Sequence, residues 1–436
     1  MPTWFSGFCI SFSEFSGTSI MKAEIIAVGS ELLTPDNIDT NSLYLTHRMN
    51  EAGCRVHLKT VVGDDSDDIA GVLREALHRS DFILFSGGLG PTEDDRTRTA
   101  VATVLGRPVS IDEGILETLR QRFIARGFRM AKINEKQAEV IEGAETLDNP
   151  LGTAPGKWIE EKGHYIVLLP GPPRELQAVF EQKALPKIRQ LSGGMRLACR
   201  SFHVTGITES ELDSRIAPIY TTYPQVSTTI LAGTRHIAIR LYRWTGDNTE
   251  LSDLEDLAAK IQAELGDSIF TASDESMEEV VGRQLRGTGQ TIAVAESCTA
   301  GMLGMHITRV PGSSSYFKGG IICYDNSAKA ELCGVPPDLL QKYGAVSAEV
   351  AEAMARGVRL ALHSTIGLSI TGIAGPGGGS PEKPVGLVYI GIADGNQSES
   401  RHRVMPGDRE TIRERSSYLA LSWLRKFLMR PDASSQ

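Results

Sequence analysis

From position 21 onward, short apolar runs alternate with stretches whose apolar residues recur at helical spacing. Residues 24–28 (EIIAV) read as a buried strand ending at Gly29. Residues 41–52 read as a helix with Leu43, Leu45, Met49 and Ala52 broadly on one side. Residues 56–62 and 81–85 follow as strands, with a helix over 66–79 between them. A late strand at 165–169 is closed by Pro170, Gly171, Pro172 and Pro173, a run that stops a strand and opens the next helix. Strands and helices taking turns in this way predict a mostly parallel sheet covered on both faces.

The pattern shortens between about Leu176 and Ser273. Strands are expected at 199–204, 226–231 and 237–242, and helices at 209–216 and 251–265, which together make a small α+β module. A third stretch returns to α/β alternation. Helices are expected at 277–285, 348–362 and 409–428, and strands at 291–295, 320–324, 366–371 and 386–393. The expected fold class is α/β, with two three-layer domains of mostly parallel sheet (21–176 and 274–430) joined by the small module (177–273). Met21 is the expected initiator, with residues 1–20 disordered or never made; a short ordered arm is the alternative.

Composition narrows the function. The 436 residues are 41% hydrophobic and 23% charged, an ordinary globular balance. The net charge of −9 argues against broad nucleic-acid binding, which draws on phosphate neutralisation by clustered cations. Six cysteines without a CxxC pair suit a reducing cytoplasm better than a zinc site or a disulfide framework. No apolar run is long enough to span a bilayer.

Candidate chemistry gathers at strand ends. After 291–295 comes Glu296-Ser297-Cys298-Thr299-Ala300-Gly301, where a hydroxyl meets a strand-to-helix turn and a helix N-terminus favours anions. Ser297 or Thr299 is alternatively a plain N-cap. Tyr324 and Lys329 follow a second strand, and Thr371, Gly372 and Gly375 leave a third through a glycine-rich loop. A hydroxyl, an amine and backbone N–H groups are the parts of acyl transfer: nucleophile, base and oxyanion hole. Lys329 is alternatively a solvated helix residue, Tyr324 a rim aromatic and Arg409 a surface charge.

In order, AESCTAG, VPGSSSYFKGG, CYDNSAK, GAVS, TGIAGPGGGSPEKPVGLVY and PGDR make residues 277–428 resemble the C-terminal domain of the CinA (competence/damage-inducible protein A) family. The resemblance implies nicotinamide-nucleotide amidohydrolysis, with Ser297 as nucleophile, Lys329 and Tyr324 as partners, and Thr371 and Arg409 in substrate binding. It requires no cofactor there. A lysine acts as base only when neutral, so burial or nearby positive charge must lower its pKa. Two departures stand out: Ala300 replaces a usual glycine, and Asp325 a usual serine.

In the first half, Ser86, Gly88, Gly90, Thr92, Asp94 and Asp95 follow a strand. Thr92 can cap the next helix with Asp95 three positions on, and the acids can instead hold a divalent metal against a phosphate ligand. GSELL, DTNS, SGGLGPTEDD, NPLGTAPG and LLPGPPREL resemble the N-terminal domain of the same family, which shares the fold of molybdopterin-biosynthesis proteins. That resemblance implies an ADP-ribose pyrophosphatase dependent on a divalent metal (Mg²⁺, Mn²⁺ or Co²⁺) and potassium. Glu31, Asp94 and Asp95 are then the metal or water-activating carboxylates, and Asn41, Ser86, Gly88, Gly90 and Thr92 the phosphate or ribose contacts. The 34–37 segment (TPDN) replaces a glycine-containing turn.

The expected protein is thus a cytoplasmic, homodimeric, bifunctional enzyme of pyridine-nucleotide recycling that acts on nicotinamide mononucleotide and ADP-ribose. No nucleic acid or membrane partner is expected. The small module resembles a KH-like linker without a clear GxxG loop. Two rivals stand beside this reading: a first domain that binds a nucleotide or pterin without cleaving it, and an interaction protein of competence or DNA damage.

Overall fold

The computed structural model describes residues 20–246 and 251–430, so the expectation for the first 19 positions lies outside the described residues. The described residues divide into two compact units, residues 20–198 with 243–246 and 251, and residues 199–242 with 252–430.

The first unit is built on a six-stranded sheet in the order Arg55–Val62, Lys22–Val28, Phe82–Ser86, His164–Leu169, Gly156–Glu161, Glu145–Leu147. The first four strands are parallel, and the last two add antiparallel. Alternate residues face opposite sides, as strand geometry requires. Ile25 and Leu84 pack with Leu45 and Met49 of the helix Thr40–Glu51, whereas Ile26 and Phe85 pack with Ile69 and Leu73 of the helix Ser66–Ala76. Leu43, expected on the buried side of its helix, is instead 60% exposed, because Ser42 turns inward with Leu45 and Met49. Leu176, Val179, Phe180, Leu185 and Ile188 belong to this same core, so the unit continues past position 176. Pro173 opens the helix Pro173–Val179, as the proline run predicts.

The second unit holds most of a four-stranded sheet in the order Ser227–Ala232, Ile237–Thr245, Arg196–Val204, Ile269–Thr271. It also holds a five-stranded sheet in the order Phe317–Ile322, Ile292–Glu296, Ile366–Gly372, Leu387–Ala393, Ser398–Val404. The first three strands of the larger sheet are parallel, and the last two are antiparallel. One face packs on the helix Ala348–Ala361 through Val350, Met354 and Val358. The other face packs on the helices Met277–Thr288 and Arg409–Leu428 through Val281, Leu285, Leu421 and Leu424. The strand expected at 320–324 ends at Ile322, which leaves Tyr324 beyond it.

Candidate active sites

In the second unit the parallel strands carry their carboxyl ends to one edge. Glu296 pairs with Ile322 on one side and Ile370 on the other. The ladder continues one step further: Ser297 N–H donates to the Ile370 carbonyl, and Cys323 N–H to that of Glu296, both at 2.9 Å. Ser297, Cys323 and Thr371 therefore leave three neighbouring strand ends, the edge where open α/β sheets take ligands.

Asp325 caps the short helix Asn326–Cys333, and Lys329, one turn in, folds back over the strand end. Its Nζ donates to the carbonyls of Cys323 (2.9 Å) and Tyr324 (3.0 Å). Lys329 is buried, not solvated, and burial pulls its pKa below the ordinary lysine value. Cys298, next to Ser297, is buried as well, and burial pushes its thiol up to about 11, so it stays protonated at neutral pH.

Tyr324 meets the amine through its carbonyl only. Its exposed hydroxyl accepts from Arg409 Nη2 at 2.9 Å, while Arg409 Nη1 donates to the Gly375 carbonyl at 2.7 Å. Arg409 thus ties the glycine-rich loop to the residue after the second strand. The Thr371 hydroxyl is buried and donates to Ala345 O at 2.7 Å, which pins the 344–347 turn. Gly372 lies against the neighbouring strand, where a Cβ would come within 2.8 Å of the Leu387 carbonyl. Gly375 holds φ +77°, a region that favours glycine.

The turn after Ser297 differs from expectation. Neither Ser297 nor Thr299 caps a helix; the helix Met302–Thr308 starts after Gly301. Its first N–H groups are taken by the buried Glu296 carboxylate, which accepts from Gly301 (2.9 Å), Leu303 (3.1 Å) and Gly304 (2.8 Å). The expected attraction of a substrate anion to this helix end is therefore already satisfied inside the protein. Sequence reasoning passed over Glu296, although a carboxylate at a strand end before small residues was the available signal. It also missed Lys383, whose Nζ donates to the carbonyls of Tyr343 (2.6 Å) and Val346 (2.7 Å).

In the first unit one cleft of about 560 Å³ opens at the carboxyl edge of the parallel strands. Glu31, Asn41, Ser86, Gly88, Gly90, Thr92, Asp94 and Asp95 all line it. Gly87, at φ +110°, lets the loop cross the first strand, since a Cβ there would sit 2.3 Å from the Val28 carbonyl. Asn41 donates to Ser86 Oγ at 3.0 Å and to the Gly171 carbonyl, which joins three loops at the mouth.

Thr92 does not cap the next helix, which begins only at Thr97. Asp95 closes a turn by accepting from Thr92 N–H (2.8 Å) and Oγ1 (2.5 Å). The Thr92 hydroxyl, then a backbone N–H, hold the exposed Asp94 carboxyl below its usual range. The TPDN turn folds onto Glu31, whose carbonyl accepts from Thr34 Oγ1 (2.6 Å) and Asn37 Nδ2 (3.3 Å). Asp64, Gln137, Thr153 and Glu175 line the cleft too and were not anticipated.

Among the described residues no three His, Cys, Asp or Glu side chains converge as a ready metal site. The donors at the cleft are nonetheless hard carboxylate oxygens, the type that takes Mg²⁺ or Mn²⁺. Such a cation is ordinarily held by one or two carboxylates, with substrate phosphate and water completing its shell. Glu31, Asp94 and Asp95 all line the cleft and can supply those carboxylates. The described cysteines are all free thiols, and no described helix is long and apolar enough to cross a membrane.

A family model described as "CinA C-terminal domain" matches residues 274–428, and one described as "Probable molybdopterin binding domain" matches residues 24–190. A CinA-like protein of Solibacter usitatus is 47% identical over 93% of this chain and 98% of its own length. Another, from Koribacter versatilis, is 46% identical over 94% of this chain and 100% of its own length. The crystal structure of the protein CinA with unknown function from Thermoplasma acidophilum is 33% identical over 39% of this chain and 98% of its own, at a TM-score of 0.36.

Proposed function

The chain belongs to the CinA family, with a molybdopterin-binding-like first domain, and from that premise we propose that its second unit hydrolyses the carboxamide of nicotinamide mononucleotide. The observation that carries this reading is the placement of Ser297 and the buried Lys329 at adjacent ends of two parallel strands. A neutral amine has two N–H bonds and one lone pair. With the N–H bonds donated to Cys323 O and Tyr324 O, the lone pair is left to take the Ser297 proton.

Ser297 Oγ then adds to the carboxamide carbon, and the proton held by Lys329 passes to the departing nitrogen, which leaves as ammonia. Water, deprotonated by the same amine, adds to the acyl-serine ester and releases nicotinate mononucleotide with Ser297 restored. Backbone N–H groups of the glycine-rich loop suit the transient oxyanion. Arg409 offers a guanidinium to the substrate phosphate, held in place by Gly375 O and Tyr324 Oη. Incubation of the purified chain with nicotinamide mononucleotide should yield ammonia and nicotinate mononucleotide in equal amounts. Recovery of intact substrate would reject the reading.

A second activity, cleavage of ADP-ribose to AMP and ribose 5-phosphate, is favoured by the single cleft that gathers the expected carboxylates and glycines of the first unit. Glu31, Asp94 and Asp95 would hold a divalent cation, which would supply charge neutralisation at the diphosphate. Asn41, Ser86 and Thr92 present polar groups to the ligand, and Gly88 and Gly90 permit close backbone approach. Binding of ADP-ribose without AMP release would favour a non-catalytic nucleotide binder instead.

A further inference from the structure

Within the second unit a separate cleft of about 430 Å³ forms where residues 204–209 and 232–237 meet residues 403–406 and the last helix. Its lining includes three arginines, Arg235, Arg403 and Arg415, and a single carboxylate, Glu209. Arg235 is engaged by Glu414 at 2.8 Å. Arg403 projects, exposed, from the edge strand Ser398–Val404. Arg415 donates to the Pro406 carbonyl at 2.7 Å, with its remaining guanidinium donors available to a ligand. Beside them His236 stacks on Tyr418, with ring centroids 6.0 Å apart and planes 25° apart. Burial holds the His236 imidazole below its ordinary range, so at neutral pH the ring is uncharged. Guanidinium forks match phosphate oxygens, and flat aromatic surface suits a base.

We propose that this cleft binds a nucleoside monophosphate, with its phosphate on Arg403 and Arg415 and its base against the half-buried His236 ring, which the buried Tyr418 backs. The site also touches the deamidase machinery. Pro406, gripped by Arg415, stands three residues before Arg409. A phosphate that recruits Arg415 frees the turn at Pro406 that leads into Arg409, the first residue of the last helix, and this link rests on the reading of Arg409 as a substrate contact.

The test is calorimetric titration of the full chain with adenosine 5′-monophosphate, with inorganic phosphate as the ring-free control. One binding event should persist in Arg409→Met and in Asn41→Ala, each of which removes a proposed substrate contact, and this separates it from both proposed active sites. Arg403→Glu should weaken it at least about tenfold, as loss of a charge-assisted hydrogen bond does. Its melting temperature and its deamidation rate without the nucleotide should stay unchanged. Inorganic phosphate should bind more weakly than the nucleotide. Absence of any event, or an event that Arg403→Glu leaves intact, would overturn the site, and equal binding of inorganic phosphate would overturn its nucleoside character. Saturating nucleotide should raise KM for nicotinamide mononucleotide severalfold; an unchanged KM would overturn the link to Arg409. Because the titration needs no turnover, failure of the deamidase reading leaves the site to be judged on binding alone.

Discussion

Ala300 holds φ +48°, in the left-handed region where a Cβ crowds the backbone. The glycine usual in this motif carries no such penalty, so the departure visible in the sequence is a strained position in the fold. Ala300→Gly is expected to stabilise the protein by about 1 kcal/mol, read as an increase in denaturation midpoint at unchanged slope. At Lys329 the physics is protonation. Burial lowers its pKa, and the base works unprotonated, so the deamidation rate should rise with pH through that lowered value and then level off. The rise should fall below the pH at which a free lysine titrates. Lys329→Met should reduce the rate by a factor of about 10² to 10⁴, the usual contribution of a general base. A pH profile that still climbed at the ordinary lysine value would contradict the burial argument.

Glu296 shows what one element end depends on. Three backbone N–H groups of the turn and the helix Met302–Thr308 converge on its buried carboxylate. Glu296→Ala strands those donors, and a loss of about 3 kcal/mol in unfolding free energy is expected, together with a fall in deamidation because Ser297 is the next residue. Chemical denaturation and ammonia release on the same sample measure both. A variant as stable as the wild type would remove Glu296 from this role. Most regular elements were legible because alternating apolar runs leave few alternatives for buried strands such as Phe82–Ser86. The strand Ser398–Val404 (SESRHRV) was not, since an exposed edge strand carries no apolar signature. Likewise, the partners of Thr371 and Arg409 are carbonyls of distant loops, which no local pattern encodes. The candidate residues could be named from motifs. The tasks of their side chains, such as Tyr324 meeting Arg409 through its phenol and Lys329 through its carbonyl, needed coordinates.

Across the molecule, two sites of different chemistry serve one proposed economy of pyridine nucleotides. The first unit gathers carboxylates suited to a divalent cation, and the second sets a serine and a buried amine at neighbouring strand ends. Chelation should therefore abolish AMP release from ADP-ribose and leave ammonia release from nicotinamide mononucleotide unchanged. Loss of both on chelation would mean that the chemistry of the second unit had been misread. The most direct test of the central claim compares ammonia release by Ser297→Ala with that of the unaltered chain, using matched circular dichroism to certify folding. The account predicts a rate at least about 10³ lower in the variant, as removal of a nucleophile produces. Turnover within a few-fold of the original would contradict it.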